Sequence, residues 1–490
     1  MSITDKELLD IILDYQEWQK FECKRAEVKP AKLLETVVAF ANSEGGILVV
    51  GLEDPAKAKG QNRLIGTIES RDNLSEFFKL IEKEIDPSLK AWNKFELEIT
   101  NTAGQKDILA VCRVRKSDDV HSLKNGDTFI RRGNQNVKIG SNEIIRLKYE
   151  KGAIKFEDEP SGIKEFDGID RQLLSDFRNN IKGGSPDEWQ FLKDIGLALK
   201  RNGGYELTKG GVLLFAKNPS ILLKGKYGVK ASHYYGNKPD YSGEPNFLRR
   251  PFTIEGPLIR QVEEAVDYFR NAVKISPPKL RGAAFRPSLL IPEWAFQEAI
   301  TNAVIHRNYS LSDDIQIRFF DNRIEIESPG SYPGHITINN IQTERYARNP
   351  IILRTLNRFS NAPNLDIGEG VNRIFRVMSE HNLYEPLYSH PSLYPHSVFL
   401  ILFNMKKIGY WDTVNKYLEG NHRITNKQAR KITGISDTLK MSRLFKKWTE
   451  EGLLEKIGGT DKKAVYYIRP GRDVSSSLFS EALKIENKHL

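Results

Sequence analysis

The stretch Phe296-Gln-Glu-Ala-Ile-Thr-Asn-Ala-Val-Ile-His-Arg-Asn-Tyr309 limits the fold more than any other part of the chain. Pro292 suits the first turn of a helix, where its missing N–H costs nothing. Glu298, Asn302 and His306 follow at i, i+4 and i+8, so they share one helical face. Ala295, Ala299, Ile300, Ala303, Val304 and Ile305 surround them, so most of this helix must be buried. A buried Glu–Asn–His ladder is costly unless each group has a partner. That partner is either neighbouring backbone or a bound, hydrated, charged ligand, and the ladder alone does not choose between them.

At 490 residues the chain has room for roughly three domains of about 150 residues each. The longest apolar runs, Gly46–Leu52 and Val398–Phe403, are too short to span a bilayer and fit buried strands. The N-terminus, Met-Ser-Ile-Thr-Asp-Lys-Glu, lacks the basic start and apolar core of a secretory signal, so a cytoplasmic location is expected. Two cysteines, Cys23 and Cys112, make neither a disulfide framework nor a zinc site. The formal net charge is +10, and the segment Met405–Arg472, with 16 Lys/Arg against 7 Asp/Glu, carries nearly all of it. This concentration points to an anionic partner, with a solvated basic surface as the alternative.

Residues 4–15 have helical apolar spacing, with Thr4 as N-cap. Glu17-Trp-Gln-Lys-Phe-Glu22-Cys-Lys24-Arg25 leads irregularly into a strand, Pro30 opens a helix over 31–42, and 47–52 is a buried strand. The motifs Glu17-x4-Glu22-x-Lys24, Phe40-Ala-Asn-Ser-Glu-Gly-Gly46, Gly51-Leu-Glu-Asp54 and Asp127-Thr-Phe-Ile-Arg-Arg-Gly133 then stand in order. This order resembles the Schlafen core, the AlbA-like DNA-binding domain of bacterial regulators, over residues 10–150. In nucleolytic Schlafens three carboxylates hold a divalent metal that activates water. The resemblance maps them onto Glu17, Glu22 and Asp54, and oxygen ligands suit such a cation. The alternative is a structural ion pair between Glu22 and Lys24. Lys24, Arg25, Arg113, Arg115, Arg131 and Arg132 either line a phosphate-contacting groove or are exposed strand charges.

Residues 151–285 read as a linker, with Pro160-Ser-Gly162 inside it, followed by a connecting α/β region. Leu213–Phe215 and Gly228–Tyr235 have the look of strands, and Glu255–Asn271 of an amphipathic helix. After the ladder come Ile315–Phe320 and Arg323–Glu327 around Asp321-Asn322, a β-hairpin pattern. Ser328-Pro-Gly330-Ser-Tyr-Pro-Gly334 and Asp366-Ile-Gly368-Glu-Gly370 follow. The sequence of parts resembles the GHKL ATPase fold in its RecG-related form. The resemblance implies an N-box in Glu298-x3-Asn302, glycine boxes at Gly330/Gly334 and Gly368/Gly370, and ATP with Mg²⁺ as cofactors. Asn302 would ligate Mg²⁺, Glu298 would activate water, and the glycines would admit phosphate to backbone N–H groups. The aspartate that usually reads the adenine amino group is missing from Ser328-Pro-Gly330. No Gly-x4-Gly-Lys-Ser/Thr occurs, so a helicase activity is not supported.

Residues 405–472 present helices at 410–418 and from Thr425 to Ile432, a turn at Gly434, and a third helix begun by Ser436 or Thr438. Two short strands follow around 458–463. This resembles a winged helix-turn-helix, with Thr438, Lys440, Arg443 and Lys447 facing the major groove and Lys462 and Lys463 on phosphate. Residues 473–490 read as a tail.

The expected fold class is therefore α/β (α+β) and multidomain. By these resemblances residues 1–150 are expected to form a Schlafen/AlbA-like domain, 286–404 a GHKL-type α/β sandwich and 405–472 a winged helix. The function expected is an ATP-binding, DNA-binding regulator working as a homodimer or higher homo-oligomer. The alternative is a Schlafen-like metal-dependent endonuclease acting on DNA or on structured RNA such as tRNA, gated by ATP or by assembly, in antiviral defence with a defence-system partner.

Overall fold

The computed structural model describes residues 5–14, 17, 19–181, 184–201, 204–240, 242–275, 289–363, 369–389, 394, 396–421, 423–457 and 465–469. Thr4, Gly368, Lys462, Lys463 and the segment 473–490, all named above, lie outside the described residues. The chain falls into two units, Met1–Ala153 with Tyr410–Leu490, and Ile154–Gly409.

In the first unit the strand Gly46–Val50 is buried at every position because both of its faces are covered. It pairs parallel with Phe21–Lys24 and antiparallel with Lys106–Val114, and Trp92–Thr100 completes the sheet. Successive side chains point to opposite faces. Phe21, Cys23, Ile47, Val49 and Val111 pack with Leu8, Ile12 and Leu13 of the helix Asp5–Asp14. Leu48, Val50, Ala110 and Cys112 pack with Leu33, Leu34, Val37 and Val38 of the helix Pro30–Asn42, whose proline opens its first turn. Asn42 ties that helix to the following chain: its Nδ2 donates to the carbonyls of His121 at 2.7 Å and Phe129 at 2.9 Å.

The C-terminal part holds helices Trp411–Gly420, Asn426–Thr433 and Thr438–Glu450 and the antiparallel pair Glu455–Ile457 and Tyr466–Ile468. Thr425 and Gln428 form a reciprocal capping box, and Gly434 ends the second helix at φ +72°. The third helix begins at Thr438, one of the two expected starts, and is capped by Asp437, whose carboxylate accepts from Leu439 N at 2.7 Å. Met441, Phe445 and Trp448 point inward at helical spacing.

The second unit is built on a six-stranded sheet in the order Phe247–Ile254, Val229–Tyr234, Ile315–Phe319, Arg323–Pro329, Ser397–Phe403, Leu387–Tyr388. Only the pair Val229–Tyr234 and Ile315–Phe319 is parallel. Two of the strands come from the region expected to be a connection, so the boundary drawn at 285/286 runs through a single sheet. The helices Leu258–Ile275, Glu293–His306 and Gly370–Glu380 pack beside one another, and Phe269 stacks on Phe296 at 4.6 Å above Phe319. Leu213–Phe215, expected as a strand, closes the helix Lys209–Phe215. Thr208 caps it by accepting from Gly211 N at 3.1 Å, and an apolar run buried all round carries no period to separate helix from strand.

Glu157 lies wholly inside this unit. Its two oxygens accept the N–H groups of Ile351 at 2.9 Å and Ile352 at 2.7 Å, capping the helix Pro350–Leu356. Burial pushes its pKa from 4.5 up to about 7 despite those two N–H groups, which lower it. A carboxylic acid whose folded pKa is raised binds its proton more tightly when folded, so stability falls as pH rises from 4.5 towards 7. The wild-type protein is expected to lose roughly 3 kcal/mol from this group between pH 4.5 and pH 8. Glu157→Gln should start less stable and lack that component of the slope, which urea denaturation across the pH range measures.

Candidate functional site

The helix Glu293–His306 is buried on almost every side by Ala295, Phe296, Ala299, Ile300, Val304 and Ile305. Its Glu298, Asn302 and His306 all line a cavity of about 360 Å³. Glu298 is only 6% exposed, and its Oε1 accepts from Asn302 Nδ2 at 3.2 Å. Burial raises the Glu298 pKa, while the Asn302 hydrogen bond and the Arg373 charge pull it down. The helix Gly370–Glu380 begins against this carboxylate: a Cβ at Gly370 would land on Glu298 Oε1. Unpaired N–H groups at a helix start favour an anion. Arg373, one turn further on, lines the same cavity and lies over the Trp294 ring at 4.5 Å. Tyr388 also lines the cavity, and its pKa is raised by burial and then by the Glu298 charge.

The opposite end of the helix is secured by three side chains. Tyr309 donates to Val304 O at 2.8 Å, Arg348 to His306 O at 2.7 Å, and Asn349 to the carbonyls of Ile305 and Arg307, both at 2.8 Å. Ser328 Oγ donates to Ala303 O at 2.9 Å. Gly330 is required here: its φ is +103°, and a Cβ would collide with Asn308 and Arg348. Gly334 has φ +52° in the turn that follows.

These residues fit a nucleotide with Mg²⁺. The Asn302 bond uses the amide nitrogen, leaving the carbonyl oxygen for a hard cation. A bound Mg²⁺ would neutralise triphosphate charge, while Gly370 and Arg373 face the anion. Motif reading did not single out Arg345, Tyr346, Arg373 or Tyr388. Arg373 had a legible signal, since its position one turn after Gly370 turns its side chain back towards the helix start. Arg345, Tyr346 and Tyr388 had none.

The N-terminal candidates assemble differently. Lys24 Nζ binds Glu17 Oε1 at 3.1 Å and also Glu22 Oε1, and Arg131 binds Glu22 Oε2. Both oxygens of Glu22 are thus taken by cations. Asp54 Oδ1 accepts from Ala56 N at 2.8 Å, closing its own turn, and the neighbouring carboxylate of Glu53 reaches Arg25 at 3.4 Å. Among the described residues no group of three or more His, Cys, Asp or Glu has metal-holding geometry. A metal here would have to displace Lys24 or Arg131, so the donor set does not fit one. Arg131 and Arg113 are buried, 3% and 2% exposed, and Arg131 also donates to Asn136 Oδ1 at 2.7 Å. Arg25 pairs with Glu27 at 2.6 Å and Arg132 with Glu143 at 2.9 Å, both near the surface.

On the third C-terminal helix Lys440, Arg443 and Lys447 are exposed on the side away from Met441, Phe445 and Trp448, and Thr438 is exposed at the helix start. Lys447 is 4.0 Å from Glu451, and Lys440 sits over the Tyr410 ring at 5.9 Å. Asn426 Nδ2 reaches Ser442 Oγ at 3.0 Å and Arg430 reaches Ser436 O at 3.0 Å, fixing the second helix against the third.

The geometry therefore defines a nucleotide-type cavity in one unit and a charged α/β domain in the other. Residues 17–140 match the family model "Schlafen, AlbA_2", and residues 312–398 match "Putative ATP-dependent DNA helicase recG C-terminal", a HATPase model. The chain thus combines a Schlafen/AlbA-like domain with a HATPase-like domain, an architecture that supports a nucleic-acid-binding, ATP-binding protein. The second match begins after the ladder helix, so the roles of Glu298 and Asn302 rest on the geometry above. No curated protein matches the chain. Among solved structures, the DIP2311 protein from Corynebacterium diphtheriae is similar at 16% identity over 98% of this chain and 99% of that chain, with a TM-score of 0.40. No described helix is long and apolar enough to cross a membrane.

Gly370→Ala tests the cavity directly. Alanine suits a helix better than glycine, so the fold should persist, but the methyl group must push the Glu298 carboxylate aside. ATP affinity is expected to fall at least about tenfold with an unchanged far-UV spectrum, measured by calorimetry.

Proposed function

We propose that the protein is an ATP-binding, DNA-binding regulator of the transcriptional type, whose nucleotide state controls its hold on nucleic acid. The observation that carries this reading is the convergence of Glu298, Asn302 and the start of the Gly370–Glu380 helix on one cavity. Asn302 holds Mg²⁺ with the triphosphate, and Glu298, whose pKa is raised by burial, is placed to activate water. Its hydrogen bond to Asn302 favours nucleotide sensing with slow turnover over rapid hydrolysis.

DNA is held by the winged helix. Thr438, Lys440, Arg443 and Lys447 on the third helix enter the major groove. The protein acts as a homodimer, whose twofold symmetry suits a palindromic site. Lys24, Arg25 and Arg132 add phosphate contacts from the Schlafen/AlbA-like domain.

The test is binding of labelled DNA and RNA with Mg²⁺, with and without ATP. ATP is expected to change wild-type DNA affinity by about 5–150-fold, the range of ordinary allosteric coupling, and to leave Asn302→Ala unchanged. Arg443→Ala should weaken binding to the preferred site and relax the preference at the base it faces, measured across a set of variant sites. Mg²⁺-dependent cleavage that disappears in Glu22→Ala would overturn the regulator in favour of the endonuclease.

A further inference from the structure

The two ends of the ladder differ in chemistry. The Glu298 end meets Gly370, Arg373 and a helix start, a setting for phosphate. The His306 end lies where the strand Arg323–Pro329 finishes, beside Ser328 and Gly330, with Ile326 also lining the cavity. Eight residues of helix separate Glu298 from His306, roughly 12 Å along the axis. That span suits an extended nucleoside triphosphate, with phosphates at the first end and the base at the second.

At the base end there is no carboxylate in the Ser328-Pro-Gly330 turn. Ser328 Oγ spends its proton on Ala303 O. His306 lines the cavity beside this turn, and its Nδ1 is buried without a hydrogen-bond partner among the described residues. A proton on Nδ1 would be a buried unsatisfied donor, so the neutral ring keeps its proton on Nε2. Burial, with Arg348 as the second cause, lowers the His306 pKa to about 4, so the ring stays neutral near pH 7.

We propose that His306 reads the base of the bound nucleotide, its Nε2–H donating to an acceptor on a purine edge. This rests on the nucleotide reading above and narrows it to a ligand class. An aspartate set to accept from the 6-amino group of adenine would meet the 6-carbonyl of guanine in the same pose, and so selects against guanine. A donor instead meets acceptors that both purines carry on their ring nitrogens, with guanine offering a carbonyl as well. The pocket therefore takes purine nucleoside triphosphates with little distinction between adenine and guanine.

Calorimetric titration of the full chain with ATP, GTP and inorganic tripolyphosphate, each with Mg²⁺, decides this. Wild-type affinities for ATP and GTP are expected within about fivefold of each other. His306→Ala should lower both at least about tenfold and leave tripolyphosphate binding unchanged, while His306→Gln, which keeps a donor, recovers part of the loss. If His306→Ala fails to fold by circular dichroism, His306→Gln and the wild-type ATP/GTP ratio carry the decision. A wild-type preference for ATP above about a hundredfold, or nucleotide binding untouched by His306→Ala, overturns the inference and leaves the nucleotide site standing. Absence of binding by all three ligands to the wild type overturns both.

Discussion

Keeping the Glu298 carboxylate inside the Ile154–Gly409 unit is the requirement to which its neighbours answer. A buried carboxyl with one neutral hydrogen bond is expensive, and its cost is met by position. Asn302 donates to it, the Gly370–Glu380 helix starts against it, and Arg373 adds a positive charge at longer range. Gly370 has no side chain because that carboxylate fills the space one would need. Around the same helix, Tyr309, Arg348 and Asn349 occupy its last carbonyls, so the residues that follow the ladder in sequence close the helix that carries it.

The Schlafen/AlbA-like domain solves its charge problem in the opposite way. Glu17, Lys24, Glu22 and Arg131 alternate in sign along one chain of contacts, each anion facing a cation. Removing one member would strand another inside the protein, a larger penalty than the net worth of any one pair. Cys23 joins this neighbourhood through Glu17 and Arg63, with its thiol pushed up to about 12 by burial, and it is correspondingly unreactive.

Much of this was legible in the sequence where the signal was local. The period of the ladder placed three polar residues on one face, the Asp321-Asn322 turn gave the hairpin, and Thr425 with Gln428 gave a capping box. Long-range partners were not legible. Arg131 looked like a surface cation because its partner Glu22 lies 109 residues away, and Glu157 looked like linker because the N–H groups it caps lie 194 and 195 residues on. The strands Val229–Tyr234 and Phe247–Ile254 carry no motif that assigns them to the sheet of the ladder domain. Their membership follows from pairing, which local pattern does not encode.

That sheet has a consequence for how the unit comes into being. Its one parallel pair joins segments about 86 residues apart, as the bond from Gly228 to Asp314 shows, and such closure is slow. The cavity wall also includes Val398 and Leu400, from a strand that pairs with Arg323–Pro329. During synthesis the ladder helix emerges about a hundred residues before that strand, so the cavity lacks this part of its wall until translation passes Phe403. The pocket is complete only once that wall is in place, which makes an intact pocket a report that the unit has been made and folded.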